Sequence, residues 1–185
     1  MTPLKVTLHE LTNAGEKTKA FVQRAIQLME EVVNTQGFRD AVAQQKFSYI
    51  HHHGTDHSKD ALMRYLFEGR ELGTDADHEI DLRINLRAFY YGFRPIRVLN
   101  KKTVGSTNLG GPVIHTNLYH INNWVAHDDV ASGVGHWLHE WMHVVGYEHE
   151  DANGDENDVA YAIGAIAEHI AWERLGSSRA LSSSS

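Results

Sequence analysis

Cysteine is absent from all 185 residues. That excludes a disulfide framework, a thiolate-ligated zinc site and a cysteine nucleophile. It does not fix the compartment, because many exported proteins also do without cysteine. The opening stretch "MTPLKVTLHELTNAGEK" lacks a basic segment followed by an apolar run, so no signal peptide is expected. The longest apolar runs are too short to span a bilayer, so no membrane partner is expected either. Localisation stays open between the cytoplasm and export by a non-classical route. No basic stripe relieves the net charge of -7, which argues against a nucleic-acid partner. No internal repeat or long linker interrupts the chain. What remains is 42% hydrophobic and 22% charged, the composition of one globular domain over residues 1–176. A low-complexity tail, "SSRALSSSS", follows at 177–185 and is expected to be disordered. The compositional oddity is 14 histidines, clustered at 51–57, 115–127 and 136–149.

Apolar spacing predicts a helix from about residue 14 to 35, with Phe21, Ala25, Leu28, Met29 and Val32 on one face and Gly37 as its stop. A second helix over about 58–68 turns Leu62, Met63, Leu66 and Phe67 inward, with Gly69 just beyond. The period then changes. In "EIDLRINLR", Ile80, Leu82, Ile84 and Leu86 alternate with Asp81, Arg83 and Asn85, the pattern of a half-buried strand. "PIRVLN", "TVGSTN" and "GPVIHTNLYHI" read as further strand pieces. Helical signal returns from about 128, halts at Gly146, and resumes in "DVAYAIGAIAEHIAWERL" before Gly176. Gly133 and Gly135 point to close packing near the start of the earlier of these two helices. Helices, then sheet, then helices describe an α+β domain. "HHHGTDH" at 51–57 reads as a histidine-rich loop, able to pick up metals adventitiously.

The stretch "HWLHEWMHVVGYEHE", His136 to Glu150, carries the chemistry. His139 and His143 stand four apart, one helical turn, and can converge on one ion. Glu140 projects toward the same ion without being placed to bind it squarely, the position of a general base. His136 lies seven residues before His143, about 10 Å along a helix, so the two cannot share an ion and His136 reads as a buttress. Gly146 can take a positive φ and turn the chain out of the helix, which lets His149 swing back as a third ligand. Glu168 is the alternative third ligand.

"HEWMHVVGYEH" fits H-E-x-x-H-x-x-G-x-x-H and resembles the zinc signature of the metzincin metallopeptidases. The resemblance implies a metzincin-like fold with N-terminal helices, a twisted mixed sheet, an active-site helix and a C-terminal helix. It implies one catalytic Zn²⁺ on His139, His143 and His149, with Glu140 as the base. A looser similarity to uncharacterised bacterial metallopeptidase-like proteins covers about residues 30–172. In metzincins a methionine turn follows the third ligand. Here the methionines are Met1, Met29, Met63 and Met142, and none follows His149. Tyr161, in the segment where that turn would fall, can sit under the metal or reach over it.

The expected activity is hydrolysis of a protein or peptide substrate by metal-activated water. Tyr161, then Tyr147, then His136 are candidates to stabilise the oxyanion. The strand Val113, Ile114, His115, Thr116 and Asn117 is expected to pair with an extended substrate if it is the sheet edge nearest the metal, as the edge strand does in metzincins. The alternatives are a zinc amidase acting on a non-protein substrate and a zinc-stabilised binding module. "DANGDEND" at 151–158 fails the calcium-loop pattern, with Glu156 and Ala162 where glycine and glutamate belong, so calcium is only a loose possibility. Asp158 or Asn157 is expected to cap the last helix.

Overall fold

Alternation in "EIDLRINLR" produces the strand on which the sheet is built. In a computed structural model that describes residues 2–54, 56–92, 97–150 and 155–182, with side chains through Ser177, this strand is β2, Glu79–Arg87. Ile80, Leu82, Ile84 and Leu86 are all at most 1% exposed. On one side β2 pairs in parallel with β1, Lys5–Thr12. On the other it pairs in parallel with β6, Ile114–Asn117, which pairs antiparallel with β5, Gly105–Thr107. The mixed sheet therefore has the order β1-β2-β6-β5, with β5 at its edge. A two-stranded ribbon, β3 (Tyr90–Tyr91) with β4 (Val98–Leu99), stands apart from it.

Helices fill one side of this sheet. α1, Glu16–Val33, buries Phe21, Val22, Ala25, Ile26, Leu28, Met29, Val32 and Val33, each large side chain contributing about 1.5–3 kcal/mol. α2 follows at Gln36–Gln44 and α3 at Lys59–Glu68. Ser58 caps α3 by accepting from Ala61 N, and Gly69 ends it with φ 63°. α4 is Leu118–His127, α5 Val130–Val145 and α6 Val159–Ser182. Asp129 caps α5, and Gly146, at φ 113°, returns its N–H to Met142 and His143 carbonyls. Trp137 and Trp141 on α5 are fully buried, Trp137 meeting Phe21 edge-on at 6.4 Å. Among the described residues, no helix is long and apolar enough to cross a membrane.

The domain is α+β, as expected, with four departures from the sequence reading. The chain opens with a strand rather than a helix: Val6 and Leu8 begin an alternation, but the register slips between Leu8 and Glu10 and destroys it. Gly37 does not stop α1. Asn34 does, its side chain donating to Leu4 and Glu30 carbonyls, after which Thr35 caps α2. "GPVIHTNLYHI" is not all strand, because the Asn117 side chain accepts from Tyr119 N and starts α4. The last helix runs past Gly176 through the serine-rich segment to Ser182. Of the remaining strand pieces, "TVGSTN" contains β5 and "PIRVLN" contains β4, although residues 95–96 lie outside the described residues.

α5 and α6 cross where neither has a side chain. A Cβ on Gly164 would lie 2.8 Å from Gly135 O and 2.9 Å from His139 Cβ. A Cβ on Gly135 would lie 2.7 Å from Glu168 Cβ. Gly133 is packed almost as tightly against Trp137 and Phe21, so the expected close packing holds at both glycines. Alanine at 164 forces the helices apart at about 1–3 kcal/mol, against about 1 kcal/mol gained from helix propensity. Gly37, with nothing within 4 Å of an added Cβ, has no such conflict. Gly164→Ala is therefore expected to lower the denaturant midpoint and Gly37→Ala to raise it, by about 0.5–1 kcal/mol. Urea melts of both variants check the opposite signs.

Candidate metal centre

Helical spacing places His139 and His143 on one face of α5, and the Gly146 turn carries His149 back toward them. One ring nitrogen from each of the three lies within 4.8 Å of the other two. Ring centroids are 5.1 Å apart for His139–His143, 5.2 Å for His139–His149 and 4.6 Å for His143–His149. The sequence expected these three, and the structure brings them together. Glu168 does not join them; its carboxylate accepts from Ser132 Oγ at 2.8 Å.

Two of the three imidazoles are aimed by a hydrogen bond behind them. His143 Nδ1 donates to Tyr147 O at 2.6 Å, and His149 Nδ1 donates to Asp158 Oδ2 at 2.6 Å. The main-chain carbonyl of Ala160 acts on His139 in the opposite sense to burial, favouring its protonated form, but weakly. Donation through one nitrogen leaves the other as a lone pair, which is the form that binds a metal. Burial first, then the neighbouring imidazoles, hold His139 well below the usual histidine range. Burial likewise lowers His143, partly offset by its bond to Tyr147 O. Ring nitrogens this close have no donor group between them. The set suits a divalent transition metal, and three nitrogen ligands facing a cleft are the donor count of a site with an open position.

Asp158 is the residue the sequence undervalued. It was expected only as a cap, and its Oδ1 does accept from Tyr161 N at the start of α6. Its other oxygen holds His149, and the residue is fully buried. The histidine-rich loop also has a definite place. His53 N donates to Gly146 O, Glu148 N to His51 O, and Ser48 N to Asn157 O. Residues 48–53 thus splint the chain on both sides of His149, with His52 buried beneath and its Nε2 bonded to Val145 O. No repeating pattern announces such pairing. Of the loose calcium site, residues 151–154 lie outside the described residues, and Asp158 is committed to His149.

Glu140 is 4% exposed and lines the cleft beside the imidazoles. Its Oε2 accepts from Thr107 Oγ1 at 2.8 Å. Burial pushes its carboxyl up to about 7, offset in part by Thr107 and by His149. His136 sits behind it, its Nδ1 3.8 Å from Oε1 and its Nε2 3.1 Å from Thr116 Oγ1. Trp137 Nε1 donates to that same hydroxyl at 3.1 Å. The Thr116 hydroxyl thus joins the Trp137 indole to the His136 ring. Burial lowers His136 to about 3, so it is a neutral support, as a buttress should be.

A cleft of about 990 Å³ runs along α5, with β5 on one wall and α6 on the other. Tyr161 lines it, 41% exposed, its ring 4.5 Å from His139 and 4.7 Å from His149. Tyr147 does not line it; the ring is fully buried and tilted against His52 at 4.9 Å, which removes it as an oxyanion partner. The expectation for Val113–Asn117 also needs correction. β6 is paired on both sides, so it is not the edge. Ile114, Thr116 and Asn117 are buried, Val113 and His115 line a separate hollow, and Asn117 Nδ2 holds the Asn100 and Thr103 carbonyls before β5. The edge is β5, one strand further out, because "TVGSTN" folds back on it. Gly105 there lies so close to His136 and Glu140 that a Cβ would stand 2.8 Å from Glu140 Oε1.

Comparison of the chain with family models, curated proteins and solved structures finds no match.

Asp158→Asn keeps an acceptor for the α6 cap but removes the charge behind His149. Divalent-metal affinity, read by competition with a chromophoric chelator, is expected to fall about 10–100-fold. Unchanged affinity would show that His149 needs no such support.

Proposed function

We propose that the protein is a zinc-dependent peptidase of metzincin-like fold, with His139, His143 and His149 as ligands and Glu140 as general base. The observation that carries this reading is the juxtaposition of three converging imidazoles with a buried carboxylate that is not one of them, in one cleft. A structural metal site would have no use for that carboxylate. The motif's resemblance to the metzincin signature agrees with this, and so does a mixed sheet whose edge strand borders the cleft.

A zinc ion held by the three imidazoles would supply Lewis acidity toward water and toward the scissile carbonyl. The chain's own groups do the rest. Thr107 fixes Glu140 through Oε2, and among the described residues Oε1 accepts no hydrogen bond, which leaves that oxygen to take a proton from water and return it to the departing amine. The outer edge of Gly105–Thr107 pairs with an extended peptide by main-chain hydrogen bonds and lays the scissile bond across Glu140. Tyr161 stands on the cleft side of the imidazoles, where its hydroxyl can stabilise the oxyanion. A cleft this long with a strand edge fits a polypeptide better than a small amide.

Glu140→Gln is expected to keep stoichiometric zinc and the native fold while peptide hydrolysis falls by about 10²–10⁴-fold. A digest of a peptide library, with and without chelator, gives the readout alongside metal analysis. Wild-type turnover by the glutamine variant, or turnover that survives full removal of metal, would sink the reading.

A further inference from the structure

Glu168 lines the cleft, yet nothing in the proposed reaction uses it. It lies on α6 beside the glycine crossing, where the missing side chain at Gly135 lets it come within van der Waals reach of α5. Its carboxylate is half-buried and has no cationic partner among the described residues. Its hydrogen-bond donor is the hydroxyl of Ser132, and that hydroxyl also lies 2.8 Å from Asp129 Oδ2. One hydroxyl has one proton, so it serves the two carboxylates by turns. Asp129 has a second donor in Ser132 N, whereas Glu168 has none among the described residues. A carboxylate drawn partly out of water with half a donor is a poor resting arrangement and a good cation site.

The surroundings define what the cation is attached to. Trp124, 7% exposed, lines the same part of the cleft and tilts against His136 at 5.4 Å. On α5, Ser132 and Gly135 touch Glu168 and His136 touches Trp124, so this stretch of the cleft is acidic toward α6 and apolar toward α4. The only lysine or arginine among the lining residues is Lys102, which is exposed and makes no ion pair with Glu168.

We propose that Glu168 is a specificity-determining residue, selecting substrates whose residue in this recess is lysine or arginine. The aliphatic stem lies against Trp124 and the ammonium or guanidinium meets the carboxylate, the division that long cationic side chains favour. The assignment rests on the peptidase reading, but binding alone can test it separately.

The test uses zinc-loaded protein and capped peptides identical except at one position, which carries Lys, Arg, Leu or Glu. Wild type is expected to prefer Lys and Arg at one position relative to the cut. In Glu168→Gln, which keeps an acceptor for Ser132, the ratio of kcat/KM for the Lys peptide over the Leu peptide falls about 10–100-fold. Glu168→Lys turns the preference toward the Glu peptide. The same peptides are titrated against Glu140→Gln and Glu140→Gln/Glu168→Gln by tryptophan fluorescence, where the preference appears as affinity without turnover. If wild type cuts peptides but charge preference is absent or unchanged in Glu168→Gln, this assignment falls and the peptidase stands. If nothing is cut yet cationic peptides bind in a Glu168-dependent way, the peptidase reading falls and the cation site stands. No charge-dependent binding and no charge-dependent cleavage overturn it outright.

Discussion

Three lone pairs can face one another only if the chain between Gly146 and Asp158 is held at both ends, and that constraint organises the rest of the fold. His139 and His143 share one face of α5. His149 sits beyond the helix, and its direction depends on Asp158 behind it and on residues 48–53 beside it. Asp158 in turn is fixed by capping α6, so one buried carboxylate joins a helix start to a ligand. α6 reaches this position because Gly135 and Gly164 let it lie against α5 backbone to backbone. The same approach brings α6 against His139 itself, whose Cβ lies 2.9 Å from where a Gly164 side chain would begin. Two glycines, far from each other in sequence, therefore govern two of the three imidazoles.

The sheet governs the carboxylate. Thr107 on β5 holds Glu140, and Thr116 on β6 links His136 to the Trp137 indole. Glu140 is thus connected to the strand that borders the cleft rather than to its own helix alone. A strand displaced by even a fraction of an ångström would change the hydrogen bond to the base, because Thr107 is both part of the edge and a partner of Oε2. Gly105 belongs to this coupling: only a residue without a side chain lets the edge lie over His136 and Glu140 so closely.

Much of the site was legible because it is local. The i, i+4 pair, the intervening glutamate and the glycine turn are read along one stretch, and the structure assembles the three imidazoles they specify. β2, α1 and α3 were legible for the same reason, each declaring a period, and α3 its stop at Gly69 as well. What escaped is non-local or broken. β1 hides behind a bulge at its middle, and α4 behind an Asn that ends a strand and caps a helix in one step. The strand order is not written in any single segment, so β6 was taken for the edge when β5 covers it. Tyr147 was a candidate because it neighbours the ligands in sequence, but the chain reverses at Gly146 and buries its ring. Thr107 and Asp158 have ordinary identities, and only the fold reveals what they hold.

An edge strand beside a reactive site is also a hazard, since its free N–H and C=O groups invite pairing with any extended chain. β5 answers this by being three residues long and containing a glycine, a length too short to template another sheet, although under the proposed function it suffices to align one peptide. The segments around it add a second restraint. Asn117 ties the turn before β5 through the Asn100 and Thr103 carbonyls, and Gly110 N ties the turn after it to His143 O. Both anchors attach to elements that carry the site, so the edge cannot slide in register without disturbing the helix that presents His143. Access for a substrate strand and exclusion of stray strands are, on this view, consequences of the same short, doubly anchored edge.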